Sequence, residues 1–323
     1  MNAVTVDRVT KRFGDVVAVD DLSLSVEEGE IFGFLGPNGA GKSTTINMLL
    51  DFVKPTAGEI SVLGMDAQTD SKAIRQRIGV LPEGYQTYDR LTGRQHLEFA
   101  IESKDTEDDP DALLERVGLD PDDADRKAGG YSKGMSQRLL LAMALVGEPD
   151  LLIFDEPSTG LDPHGVRLMR DIVREERDRG ATVFFSSHIL EQVEAVADRV
   201  AILNEGRLLT VDTIDGLREA VGADAELTIM LADGPTGETT TDDGESTTGP
   251  GQATVADPAG IVESIDGVTS VDRRGDELVV VCRREAKLPV LDRLRERGAT
   301  IRDFTTDETS LEDLFVSFTE GDR

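Results

Sequence analysis

Residues 36–43, GPNGAGKS, constrain the fold of this chain more than any other stretch. They match G-x-x-x-x-G-K-[ST], and they sit where that pattern must sit, after a short apolar strand-like run, IFGFL, and before a helix-like run, TTINMLL. Gly36, Gly39 and Gly41 let the backbone curl so that its N–H groups face phosphates, with Pro37, Asn38, Ala40 and Thr44 belonging to the same phosphate-binding loop. Lys42 reaches the β- and γ-phosphates, and the Ser43 hydroxyl is a ligand for Mg²⁺. This is a nucleotide site on a strand–loop–helix unit.

A cradle alone fits kinases, GTPases and many ATPases. The run LLIFDEP (151–157) adds four apolar residues ending in Asp155, which places a carboxylate at the carboxyl end of a buried strand, where open α/β sheets bind ligands. Asp155 is placed to hold Mg²⁺, directly or through water, and Glu156 to polarise an attacking water. His188 follows the strand-like ATVFFSS on the same side and is expected at the γ-phosphate; His96 and His164 read as packing or solvated residues. A second anion site is signalled by YSKGMSQ (131–137), just ahead of the apolar run Leu139 to Val146. Ser132 is a good N-cap for a helix there, and a helix start offers unpaired N–H groups to which Lys133 adds a full positive charge.

Strand-like and helix-like runs alternate through the first two-thirds of the chain, with amphipathic stretches at 110–118 and 164–179, which predicts a largely parallel sheet flanked by helices. The opening VTVDRVTKRFGDVVAVDDLSLSV alternates with period two and predicts an antiparallel β element before the first helix. Composition changes after about residue 222. Residues 232–258 contain Val255 as their only large aliphatic and read as a disordered acidic loop. The expected division is a nucleotide-binding domain at 1–222 and a small α+β accessory domain at 223–323.

The formal net charge of −30 would destabilise a compact state by self-repulsion in dilute solution. Eight Lys against 26 Arg, with a large carboxylate excess, resemble the composition of salt-accumulating halophiles, in haloarchaeal style. Such charge disfavours binding to nucleic acid or to an anionic membrane surface. No apolar run approaches a membrane span and the N-terminus carries no apolar signal, so a cytoplasmic protein is expected. The single cysteine, Cys282, lies in the strand-like ELVVVC and reads as a buried, inert thiol.

Taken in order, Phe13, GPNGAGKST (36–44), LPEG (81–84), YSKGMSQ, LLIFDEP, STGLD (158–162) and SSH (186–188) resemble the ATP-binding cassette (ABC) ATPase family. The resemblance covers residue 1 to about 220. It implies a P-loop NTPase fold of α/β class with a mostly parallel core sheet, an antiparallel β subdomain and a helical signature subdomain. It also implies head-to-tail pairing of two such domains, in which Ser132, Lys133, Gly134 and Met135 of one chain close over ATP held by the other. By the same resemblance Phe13 stacks on adenine and Asp162 helps to join the half-sites. Glu83 stands where a Gln more often senses Mg²⁺ and contacts the membrane subunit; with Ser43 and Asp155 it makes the implied metal set, and it adds charge beside Asp155 and Glu156. LPEG, YSKGM and the ending SLEDLFVSFTEGD look like the branch that serves ABC-2-type exporters. The expectation is an ATP- and Mg²⁺-dependent ATPase subunit, a homodimer in its simplest form. It would sit on the inner face of the cell membrane through separately encoded transporter subunits that dock at 84–97. Two alternatives are an ABC ATPase acting on ribosomes or DNA, disfavoured by a single motif set without a long insertion, and an ATP-holding module without turnover, disfavoured by Glu156 with His188.

Overall fold

The computed structural model describes residues 1–84, 86–221, 225–232, 258–307 and 309–320. They fall into two units, Met1–Gly216 together with the residues from Phe315 on, and Leu217–Leu314.

The first unit opens with two long strands, β1 (Asn2–Phe13) and β2 (Val16–Glu27), paired antiparallel. Their alternation buries Val4, Val6 and Val9 on one and Leu22, Leu24 and Val26 on the other. Next come β3 (Ile31–Leu35), α1 (Lys42–Leu49), and the short β4 (Ala57–Val62) and β5 (Met65–Asp66), which complete an antiparallel sheet of order β2-β1-β4-β5. This is the antiparallel element expected from the period-two opening. After α2 (Ser71–Arg77) and β6 (Ile78–Leu81) the chain becomes helical: α3 (Gly93–Lys104), α4 (Pro110–Arg116), α5 (Pro121–Ala124) and α6 (Lys133–Leu145). Each start is chemically marked. Thr92 and Gln95 form a reciprocal capping box on α3, Asp109-Pro and Asp120-Pro open α4 and α5, and Ser132 caps α6.

The chain then returns to the core as β7 (Leu151–Asp155), α7 (Pro163–Arg179), β8 (Thr182–Ser187), α8 (Leu190–Glu194), β9 (Arg199–Asn204) and β10 (Arg207–Asp212), and ends in α9 (Ile214–Ala220). The second sheet has order β10-β9-β3-β8-β7-β6, parallel except for β10, as the alternating pattern predicts. Every residue of β3, β7 and β8 is buried, the mark of central strands covered on both faces. Phe184 fills the middle, its ring centroid 5.8 Å from Phe32 and 5.2 Å from Phe34. The helical group is tied to this core by Glu176 of α7. Its buried carboxylate receives Arg116 of α4 at 2.7 Å on one oxygen and Arg179 at 2.7 Å on the other. No helix among the described residues is long and apolar enough to cross a membrane.

In the second unit, β11 (Ala225–Leu231), α10 (Pro258–Val262), β12 (Val268–Arg274), β13 (Glu277–Cys282), α11 (Lys287–Glu296) and β14 (Ile301–Asp307) form an antiparallel sheet of order β12-β13-β11-β14 with two helices. The chain continues into α12 (Leu311–Glu320). Leu227, Ile229, Leu278, Val280, Val290 and Leu294 make its core, and Cys282 is buried among them. Residues 222–224, at the boundary expected from sequence, and 233–257 of the expected acidic loop lie outside the described residues.

Candidate nucleotide site

The register of the parallel sheet brings the motifs together. Asp155 pairs with Ser186 across β7 and β8, and Leu35 with Ser187 across β3 and β8. The next residues of the three strands, Gly36, Glu156 and His188, therefore leave the sheet side by side at its carboxyl edge.

The loop from Gly36 to Ser43 passes into α1, whose N-terminus has Gly41 as its cap and no side-chain capping bond. Gly41 has φ 103°, and a Cβ there would lie 2.6 Å from the Ala18 carbonyl oxygen, so no other residue fits. A cavity of about 360 Å³ opens over this loop, lined by Pro37, Asn38, Gly39, and Gly41 to Thr44, with Ala18, Glu83 and Glu156. Gly36 and Ala40 are buried beneath it. Lys42 is 6% exposed and donates to the Gly36 carbonyl at 2.6 Å. Uncapped amides and a buried ammonium converge on one cavity, which suits a polyphosphate.

Glu156 is 5% exposed and has partners on both carboxylate oxygens: Lys42 Nζ at 3.7 Å from Oε1 and His188 Nδ1 at 2.8 Å from Oε2. An ionised carboxylate can only accept, so Nδ1 carries the hydrogen of that bond. Asp155, also buried, accepts from the Ser186 hydroxyl. A second cavity, of about 380 Å³, borders both acids and reaches Glu83, Gln137 and Lys133. Phe13, at the end of β1, is half exposed, with Lys11 Nζ 4.8 Å from its ring centroid, and it is not among the residues that line either cavity.

YSKGMSQ does start a helix. The Ser132 hydroxyl accepts from the Met135 N–H at 3.2 Å, and the apolar run behind it is buried. Ser132, Lys133, Gly134 and Met135 line a third cavity of about 500 Å³ together with Arg138, Gly160 and Asp162. A Cβ on Gly134 would stand 3.3 Å from the Gly160 carbonyl oxygen, a tight approach between STGLD and the signature. Asp162 caps α7 through the Gly165 N–H at 2.7 Å while its carboxylate stays 65% exposed. Burial pushes the Tyr131 phenol up from its ordinary range, and its hydroxyl donates to the Asp123 carbonyl. His96 is buried at the start of α3. Its Nδ1 lies 2.7 Å from the Thr92 carbonyl and its Nε2 accepts from Tyr88 N–H, a structural role in keeping with the sequence reading. Missing from that reading is Gln137, whose amide donates at 2.8 Å to the Pro157 carbonyl and joins the signature helix to the loop after Glu156. Gln137 closes the stretch YSKGMSQ, but its contact with Pro157 is set by the fold and not by that motif.

Residues 19–159 match the family described as ABC transporter. The daunorubicin resistance ATP-binding protein DrrA3 of Streptomyces coeruleorubidus is 35% identical over 327 residues, covering 99% of this chain and 97% of the relative. The Nod factor export ATP-binding protein I of Burkholderia lata is 40% identical over 222 residues, 67% of this chain and 73% of the relative. A solved ATP-binding subunit of an ABC transporter superposes with a TM-score of 0.64 at 29% identity, over 68% of this chain and 93% of that one. With motif order, sheet topology and near full-length similarity all in agreement, the chain belongs to the ABC transporter ATP-binding family and is an ATPase.

Proposed function

We propose that this chain is the ATP-hydrolysing subunit of an ABC-2-type exporter, acting as a dimer whose two ATP sites are each shared between chains. The observation that carries the reading is Glu156, a buried carboxylate held between Lys42 and His188 at the rim of the cradle cavity. Lys42 and the amides of Gly39 to Thr44, with Gly36, Pro37 and Asn38 shaping the loop, hold the β- and γ-phosphates. Phe13, half exposed at the end of β1, is the ring that would stack on adenine. Asp155, Ser43 and Glu83 supply carboxylate and hydroxyl oxygens, the hard donor set that suits Mg²⁺. No group of three or more His, Cys, Asp or Glu among the described residues could hold a metal ion alone. Asp155, Ser43 and Glu83 would therefore hold Mg²⁺ only together with the phosphates, whose charge the ion would neutralise.

Glu156, oriented by His188, takes a proton from water as its oxygen bonds to the γ-phosphorus and the bond to the β-phosphate oxygen breaks. Ser132, Lys133, Gly134 and Met135 face the γ-phosphate of the partner chain's ATP, and Asp162 helps to join the two half-sites. Residues 84–97 dock separately encoded membrane subunits, which would hold this chain at the inner face of the membrane. The names of the two relatives, one for drug resistance and one for export, support an exporting role. The expected division of labour keeps nucleotide chemistry within 1–222 and leaves 223–323 as an accessory domain.

Glu156→Gln tests the core of this reading. It should lower kcat by about 10²- to 10⁴-fold and accumulate an ATP-bound dimer on sedimentation. Turnover close to wild type would remove Glu156 as the base.

A further inference from the structure

Strand β8 carries a partner for each of the two acids. His188, just past its end, meets the side chain of Glu156. Two residues earlier Ser186, fully buried, touches both acids at once. Its hydroxyl donates to Asp155 Oδ1. Its carbonyl accepts the Glu156 N–H at 3.2 Å, and its Oγ lies 3.4 Å from that same nitrogen. These contacts matter because Glu156 has φ 52°, a left-handed conformation that a residue with a Cβ keeps only when its surroundings hold it there. The Ser186 hydroxyl is thus committed to the carboxylate across the β7–β8 ladder.

We propose that Ser186 is a positioning residue for hydrolysis. Its hydroxyl fixes the plane of the Asp155 carboxylate by occupying one oxygen, and its carbonyl holds the strained backbone that aims Glu156. A single residue thus sets the metal-side acid and the base in one frame. Removing an outer-shell donor of this kind typically costs about ten- to a hundredfold in metal affinity or activity. The proposal rests on reading Asp155 as the Mg²⁺-side acid and Glu156 as the base.

The test uses the full chain in three variants, Ser186→Ala, Ser186→Thr and Asp155→Asn, with fluorescent trinitrophenyl-ATP as the binding probe. With Ser186→Ala, probe affinity in EDTA should match wild type, the Mg²⁺ concentration for half-maximal effect on binding should rise about tenfold, and kcat should fall about tenfold. Ser186→Thr keeps the hydroxyl on a side chain that strands accept, and should stay within about twofold of wild type on both readouts. Ser186→Cys, which fills the site but donates weakly, replaces the Ala variant if that one fails to fold and carries the same expectation. Unchanged Mg²⁺ dependence in Ser186→Ala beside a large shift in Asp155→Asn overturns the role of Ser186 alone. No shift in Asp155→Asn overturns the metal-side reading of Asp155, and the proposal with it.

Discussion

The cradle half and the signature half of the first unit are built to opposite standards. At the cradle, Lys42, Asp155 and Glu156 are each 5–6% exposed, and every one is held by at least one other polar group. At the signature, Ser132 and Lys133 are exposed and the Asp162 carboxylate is 65% exposed. Ordered backbone, a cap, a close glycine contact and the partly buried Arg138, 3.6 Å from Asp162, shape that surface. The contrast separates two tasks. Charges that act on phosphate gain strength from a low local dielectric and must be held before substrate arrives. A surface that completes another chain's site must stay open until the two meet.

The largest effects should separate the halves cleanly. Lys42→Ala should abolish both nucleotide binding and hydrolysis, whereas Ser132→Arg should lower hydrolysis by at least about 10²-fold while the isolated chain keeps its ATP affinity by titration. Loss of monomer affinity in Ser132→Arg would place the signature within its own chain's site. Next in size, Glu176→Gln loosens the tie between the helical group and the core. Breaking a buried pair is costly, but both guanidiniums are a third exposed, so a loss of about 2 kcal/mol in denaturant unfolding is expected. Phe13→Ala should weaken ATP binding about tenfold and leave kcat nearly unchanged, since base stacking is lost away from the reacting phosphate. Glu83→Gln should be smallest, changing kcat by about threefold or less, because the amide keeps an oxygen and only an exposed charge is lost. A larger change there would show that the charge of Glu83, and not only its oxygen, serves the metal-side site.

The two halves also differed in how well they could be read from sequence. GPNGAGKS announces its geometry because glycine, lysine and serine at fixed spacing have few other uses, and Ser132 announces a helix start because a capping hydroxyl is local chemistry. That β3, β7 and β8 run parallel followed from the alternation of short apolar runs with amphipathic stretches, but their order in the sheet did not. Long-range contacts left no such trace. Gln137 reaches Pro157 across 20 residues, and Glu176 looks like any helical acid yet is buried between two arginines. The left-handed turn at Glu156 is equally silent, because Glu there breaks the usual link between positive φ and glycine. Ser186 appeared within SSH, but its partner is set by the β7–β8 register, which the motif does not encode.

Mixing two dead chains tests the shared site most directly. Lys42→Ala lacks a working cradle and Ser132→Arg a working signature, so each alone should be inactive. Combined at equal concentration, random pairing places one intact cradle against one intact signature in half of the dimers. Activity should then return to about a quarter of wild type or less, and should grow with total protein concentration. No recovery under conditions where the chains demonstrably pair, or full activity in either variant alone, would contradict a site built from two chains.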